Sequence, residues 1–161
     1  MSRKIVVFYS LGENTRMIAE KIQKVLGADL AEIQTAVPYT GSYNDIVEQG
    51  QDEVNKGFMP KLKELGISLD PYDEIILGTP TWWYTMAPAV LTFLKETDFT
   101  GKKVIPFQTH AGWPGHCLED MEKAAGNAIV GNGKTIQFST TVPGELVTKE
   151  AEIDAWISSL K

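Results

Sequence analysis

The sequence predicts an α/β fold: a three-layer, doubly wound, five-stranded parallel sheet with helices on both faces, in one domain spanning 1–161. Three observations lead there. Short β-like runs alternate with helical patterns, a helix follows each strand, and the strands are apolar at consecutive positions. A strand covered on both faces has no solvent side, so continuous apolar runs mark a parallel sheet.

Lys4–Tyr9 (KIVVFY) is the first strand. A helix begins near Arg16, where Met17-Ile18, Lys21-Ile22 and Val25-Leu26 recur by threes and fours, and Gly27 closes it in a left-handed conformation. Asp29–Thr35 is the second strand. The polar stretch from Tyr39 to Leu65 contains a helix around Tyr43–Lys56. Tyr72–Gly78 is the third strand, and Pro88–Lys95 is a helix offering Val90, Leu91, Phe93 and Leu94 for packing. Lys103–Gln108 is the fourth strand, Leu118–Ala125 a helix, and Thr135–Ser139 the fifth strand. Lys149–Leu160 ends the chain as an amphipathic helix through Ile153, Trp156, Ile157 and Leu160. Pro106 conflicts with the fourth strand, because proline has no N–H for the ladder. Val104, Ile105 and Phe107 hold the strand, so a bulge or an unpaired position is expected there.

Composition narrows the function. Hydrophobic residues at 43% and charged residues at 22% are ordinary for a soluble globular chain. A net charge of −6 argues against nucleic acid, which needs clustered Lys and Arg, and favours basic protein partners. The one cysteine, Cys117, excludes an internal disulfide and a cysteine metal cluster. With no export signal visible, a cytoplasmic location is expected. The apolar run Ile5–Tyr9 is too short to span a membrane.

In open parallel sheets, ligands bind beyond the carboxyl ends of the strands, at the switch point in strand order. The segments to read are therefore SLGENT (10–15), TPTWWYTMAP (79–88) and THAGWPGHC (109–117). The first opens directly onto a helix, whose N-terminal N–H groups and dipole suit a phosphate. The Ser10 and Thr15 hydroxyls and the Asn14 amide add side-chain donors. No Gly-Lys-Ser/Thr follows, so this is not a nucleotide-hydrolase loop, and Gly-x-Gly-x-x-Gly is absent too. A plain strand-to-helix turn with Asn14 or Thr15 as N-cap explains the segment equally well when it is taken alone.

The other two segments carry Trp82, Trp83 and Trp113, three of the four tryptophans. Large aromatics in interlayer loops suit a flat ligand held by offset stacking, although Trp82 or Trp83 could instead cap the helix layer, or the group could form a protein interface. Ala111 and Gly112 let backbone N–H groups approach a heteroaromatic rim. His110 is a candidate donor there, with a local backbone contact as its plain alternative. Cys117 reads as a structural thiol, and no residue stands out as catalytic. A phosphate cradle, stacking aromatics and a hydrogen-bonding rim together describe a mononucleotide with a flat heterocycle, and FMN fits best.

At this point the chain resembles the flavodoxin-like family over nearly its whole length. The carriers are VVFYSLGENTRMIAEKI, YDEIILGTPTWWYTMAPAVLTFL and GKKVIPFQTHAGW. The resemblance implies the strand order 2-1-3-4-5, with FMN at the switch point between strands one and three. It also implies that Ser10, Leu11, Gly12, Glu13, Asn14 and Thr15 hold the phosphate. Pro80, Thr81, Trp82, Trp83 and Tyr84 would pack on the ribityl chain and a ring face. Thr109, His110, Ala111, Gly112 and Trp113 would bind the pyrimidine edge. The family's first loop usually reads Ser/Thr-x-Thr-Gly-x-Thr. Here Gly12 stands where its threonine is usual and Glu13 where its glycine is usual. Two unit charges about 5 Å apart at an effective dielectric near 20 repel by roughly 3 kcal/mol, so Glu13 is expected to point its carboxylate away from the phosphate. Arg16, the nearby cation, is expected to face solvent.

Three functions follow from these residues. The first is an FMN-binding electron carrier docking to redox partner proteins, either a reductase or an acceptor. The second is an FMN-dependent NAD(P)H:quinone-type oxidoreductase acting on a small-molecule acceptor, with Tyr39–Met59 as a cleft wall. The third is a flavin-free protein-interaction module.

Overall fold

The computed structural model describes residues 3–161. Four strands lie side by side and parallel in the order β2 (Asp29–Glu32), β1 (Lys4–Phe8), β3 (Glu74–Trp82), β5 (Lys103–His110). The fifth position is filled by two short pieces, β6 (Ile129–Val130) and β7 (Lys134–Gln137), both on the free edge of β5. This is the expected 2-1-3-4-5 arrangement with its last strand broken.

Pro106 sits at the break. Val104 pairs with Val130 and Phe107 with Lys134, so three steps along β5 face four along its neighbour, a bulge of one residue. Gly131 N–H donates to the Val104 carbonyl at 2.8 Å. Polar groups alternate along a strand, so Pro106, two residues on, presents its missing donor to the same edge. A Cβ at Gly133 would lie 2.4 Å from the Pro106 carbonyl oxygen, which leaves only glycine room to pass. The expected bulge is therefore on the partner strand, where it spares that strand a carbonyl facing the missing N–H of Pro106.

The two faces of the sheet explain the continuous apolar runs. Ile5, Val7, Ile75, Leu77 and Val104 point to one side, among Val90 and Leu94 of α3 (Pro88–Glu96) and Met121 of α4 (Cys117–Ala124). Val6, Phe8, Ile76, Ile105 and Phe107 point to the other, among Ile18 and Ile22 of α1 (Asn14–Leu26) and Ile153, Trp156 and Ile157 of α5 (Glu150–Ser159). Each such side chain contributes about 1.5–3 kcal/mol by leaving water, so both faces of every central strand select apolar residues. Gly27 closes α1 at φ 63°, as its sequence position required.

Several boundaries differ from the sequence expectation. The helix α1 starts at Asn14, two residues before Arg16. The second strand ends at Glu32, and Thr35 makes only an isolated bridge to Leu62. The third strand continues past Gly78 to Trp82, because Pro80 and its neighbours stay paired with β5 as far as Thr109. It then reverses into the two-residue β4 (Thr85–Met86). Trp83 (φ 49°) and Tyr84 (φ 71°) make that reversal, both in the left-handed region that bulky residues rarely enter. Much of what reads as the second loop is thus a hairpin.

Candidate functional site

The carboxyl ends of β1, β3 and β5 open into a cleft of about 750 Å³. At one end lies the turn from Ser10 to Thr15. The Ser10 hydroxyl donates to the Gly12 carbonyl at 2.6 Å and accepts from Arg16 N–H at 3.4 Å, so it shapes the turn from inside. The backbone N–H groups from Leu11 to Thr15 have no acceptor among the described residues. A row of free N–H groups at a helix start, reinforced by the helix dipole, is a site for an anion. The Thr15 hydroxyl turns inward and meets the Thr109 hydroxyl at 2.8 Å, joining this turn to β5.

Among the described residues Glu13 is the only formally charged one in the lining, and it sits at the N-cap of α1 with φ −111°. That backbone geometry is open to any residue, so replacing a glycine here adds no strain. Its side chain is 80% exposed and its carboxylate lies 3.8 Å from Arg16 Nε. Arg16 is not turned to solvent. Its Nη2 donates to Glu32 at 2.6 Å, and its guanidinium sits 5.2 Å above the Phe8 ring. The carboxylate of β2 across the turn draws it there.

The other end of the cleft is apolar. Pro80, Thr81, Trp82 and Trp83 line it together with Thr109, His110 and Ala111. The two adjacent tryptophans do different things. Trp82 packs edge-on against Tyr9 and Tyr39, at 6.0 and 5.1 Å between ring centroids. It also backs onto Gly50 of α2 (Tyr43–Lys56), where a Cβ would come within 3.1 Å of the indole. Trp83 donates from Nε1 to the Val47 carbonyl at 3.0 Å and stays 39% exposed. Tyr84, Gly112 and Trp113 are not in the lining, although each neighbours a residue that is or stands close to one. Trp113 is 62% exposed.

His110 has its local partner. Gly112 N–H donates to Nδ1 at 2.9 Å, so Nδ1 carries no proton and the neutral ring holds its proton on Nε2. Burial pushes the His110 pKa below its ordinary value. Cys117 is fully buried, and burial pushes its thiol up to about 12, which keeps it unreactive. Among the described residues no cluster of His, Cys, Asp and Glu is placed to hold a metal, and no helix is long and apolar enough to cross a membrane.

The lining also includes Tyr43, Ile46, Val47 and Gly50 of α2, which fall within Tyr39–Met59, the stretch expected to wall a cleft, and the pair Pro143-Gly144, which sequence reasoning missed. The signal available for α2 was Ile46-Val47 followed by Gly50, an apolar stripe with a gap at one helical turn. Pro143-Gly144 reads only as a turn. Within the suspected wall Tyr39–Met59, Tyr39 braces Trp82 and donates its hydroxyl to Glu53 at 2.5 Å. Phe58 instead lines a separate, smaller cleft with Met86, Pro88 and Leu91.

Comparison with known proteins places the family and the fold. The family model described as Flavodoxin matches residues 3–158. Flavodoxin 1 of Escherichia coli (strain K12) is 31% identical over 106 residues, covering 63% of this chain and 46% of that protein. Flavodoxin of Haemophilus influenzae is 32% identical over 95 residues, covering 56% and 40%. The chain thus spans less than half the length of the curated relatives it matches. Among solved structures, a Bacteroides eggerthii DSM 20697 protein provisionally classed as a flavoprotein superposes with a TM-score of 0.81 at 26% identity, over 99% of this chain and 98% of that chain. The flavoprotein of Lactobacillus acidophilus NCFM in complex with FMN superposes with a TM-score of 0.77 over 97% and 99%; at 19% identity that likeness is one of fold.

Proposed function

We propose that this chain, which belongs to the flavodoxin family, holds FMN in the cleft beyond β1, β3 and β5 and carries electrons between redox partners. The observation that carries the reading is the pairing of free N–H groups at one end of a single cleft with tryptophans at the other. The residues fit the group. The N–H groups of Leu11 to Thr15 and the α1 dipole would bind the phosphate without a Lys or Arg, since none of the described residues lining the cleft is one. Pro80 to Trp83 would flank the ring, and Thr109 to Ala111 would offer backbone groups and the His110 Nε2–H to its polar edge. Tyr84, Gly112 and Trp113 would close the mouth.

Bound FMN supplies reversible electron transfer, and the protein sets its orientation and electrostatic surroundings. Glu13, directed outward, leaves the lining free of a carboxylate aimed at the ring. The net charge of −6 favours basic partner proteins, whose approach it steers.

A second reading is an FMN-dependent NAD(P)H:quinone-type oxidoreductase. The specific support is α2, whose Tyr43, Ile46 and Val47 wall the cleft and would enclose a small flat acceptor.

The visible spectrum of the purified protein, before and after added FMN, tests the cofactor. Flavin absorbance and saturable FMN binding are expected; their absence sinks both readings and leaves the flavin-free interaction module. Steady-state oxidation of NADH or NADPH with a quinone then separates the two. Slow turnover without a partner reductase is expected of a carrier.

A further inference from the structure

We propose that Gln108 is a positioning residue that sets the separation of the two walls at the ring end of the cleft. It lies on β5, 2% exposed, one residue before Thr109. Its Nε2 donates twice, to Thr81 Oγ1 on β3 and to the Pro114 carbonyl, each at 3.0 Å. Thr81 belongs to the wall that carries Trp82 and Trp83. Pro114 belongs to the segment that leaves β5 after His110 and Ala111, the opposite wall. A carbonyl oxygen can only accept, so the Pro114 contact fixes which end of the amide is the nitrogen. A primary amide has two N–H bonds, and here each is used on a different wall. Neither can be released into water, because the side chain is enclosed, so the walls are held where both acceptors are met.

The surroundings share this purpose. Further out, the Thr85 hydroxyl donates to Asp120 at 2.6 Å, and His116 N–H donates to the Tyr84 carbonyl at 2.9 Å. A Cβ on Gly115 would lie 2.2 Å from that same carbonyl oxygen. These contacts lock the outer hairpin against the start of α4. Gln108 is the tie at the level of the lining itself. Leucine in its place keeps the volume but leaves the Thr81 hydroxyl and the Pro114 carbonyl without this donor.

The proposal rests on the FMN reading, and its test is designed to fail separately. FMN and riboflavin are titrated into the cofactor-free wild type and into Gln108→Leu, and the visible circular dichroism of each protein is recorded at saturating FMN. Riboflavin lacks the phosphate, so it reports on the ring end alone. About tenfold weaker binding is expected for both ligands, with their affinity ratio unchanged, as expected for the loss of buried hydrogen bonds worth about one decade. A changed dichroic band at saturation is also expected. A protein that is merely less stable would return the wild-type band once fully loaded. Should Gln108→Leu fail to fold, Thr81→Val removes one of the two acceptors, and about threefold weaker binding with a shifted band is expected. Unchanged affinities, a loss confined to FMN, or a wild-type band at saturation overturns the proposal while leaving the cofactor reading intact. Failure of the wild type to bind FMN overturns both.

Discussion

The hydroxyl oxygens of Thr15 and Thr109, 94 residues apart in the chain, lie 2.8 Å from each other beneath the cleft. Both residues are buried, so neither hydroxyl can turn to bulk water when the other is lost. Thr15→Val or Thr109→Val alone should each destabilise the cofactor-free protein by about 1–3 kcal/mol, because each strands one buried hydroxyl. The double variant strands none and should cost less than the sum of the two. Denaturant unfolding of the four proteins measures the coupling; strict additivity would mean that the contact carries no energy.

Two glycines separate steric fit from backbone freedom. Gly115 and Gly126 both have positive φ, 57° and 61°. A Cβ at Gly126 meets nothing within 4 Å, whereas one at Gly115 would sit 2.2 Å from the Tyr84 carbonyl oxygen. Gly126→Ala should cost about 1 kcal/mol, from the left-handed backbone alone. Gly115→Ala should cost roughly 3 kcal/mol or more and loosen the Trp83–Tyr84 turn. Thermal unfolding, with tryptophan fluorescence as a local report, distinguishes them. Equal losses would show that the contact with Tyr84 relaxes freely.

The Glu13 carboxylate points outward toward Arg16 and is screened by water and salt. Glu13→Gln should therefore change FMN affinity by less than about threefold at physiological ionic strength. A tenfold gain would place the charge near the phosphate in solution and contradict the outward orientation.

His110 gives a pH dependence whose sign follows from its environment. Burial lowers its folded pKa below the ordinary 6.5. In the window below 6.5 the unfolded chain thus binds a proton that the folded protein refuses, so stability is lost as pH falls through it. Protonation also breaks the Gly112 N–H to Nδ1 bond, in the same direction. His110→Gln should flatten the stability profile from about pH 6.5 to 5, measured against the wild type by denaturant unfolding. An unchanged slope would assign the loss to other groups.

Much of the fold is legible from local pattern. Ile5, Val6, Val7 and Phe8 are apolar because adjacent residues face opposite helix layers, and that requirement is written at every position of the strand. Pro106 announced its bulge because a missing N–H must be accommodated wherever the strand lies. The break that accommodates it, between β6 and β7, was less visible, since it belongs to a different segment. Trp83 and Tyr84 disguised their turn, because left-handed turns ordinarily advertise themselves with Gly or Asn.

The sequence by itself determined the layers, their order along the chain, and the three segments that meet at the carboxyl edge. These depend on periodicity and on turn residues, properties that neighbours in sequence share. Only the tertiary structure decided that Trp82 turns toward Tyr9 and Tyr39 while Trp83 reaches Val47, that Pro143-Gly144 joins the cleft lining, and that Gln108 ties Thr81 to Pro114. The direction of a side chain is set by strand register and by partners distant in sequence, and a buried hydrogen bond exists only once the fold has brought both ends together.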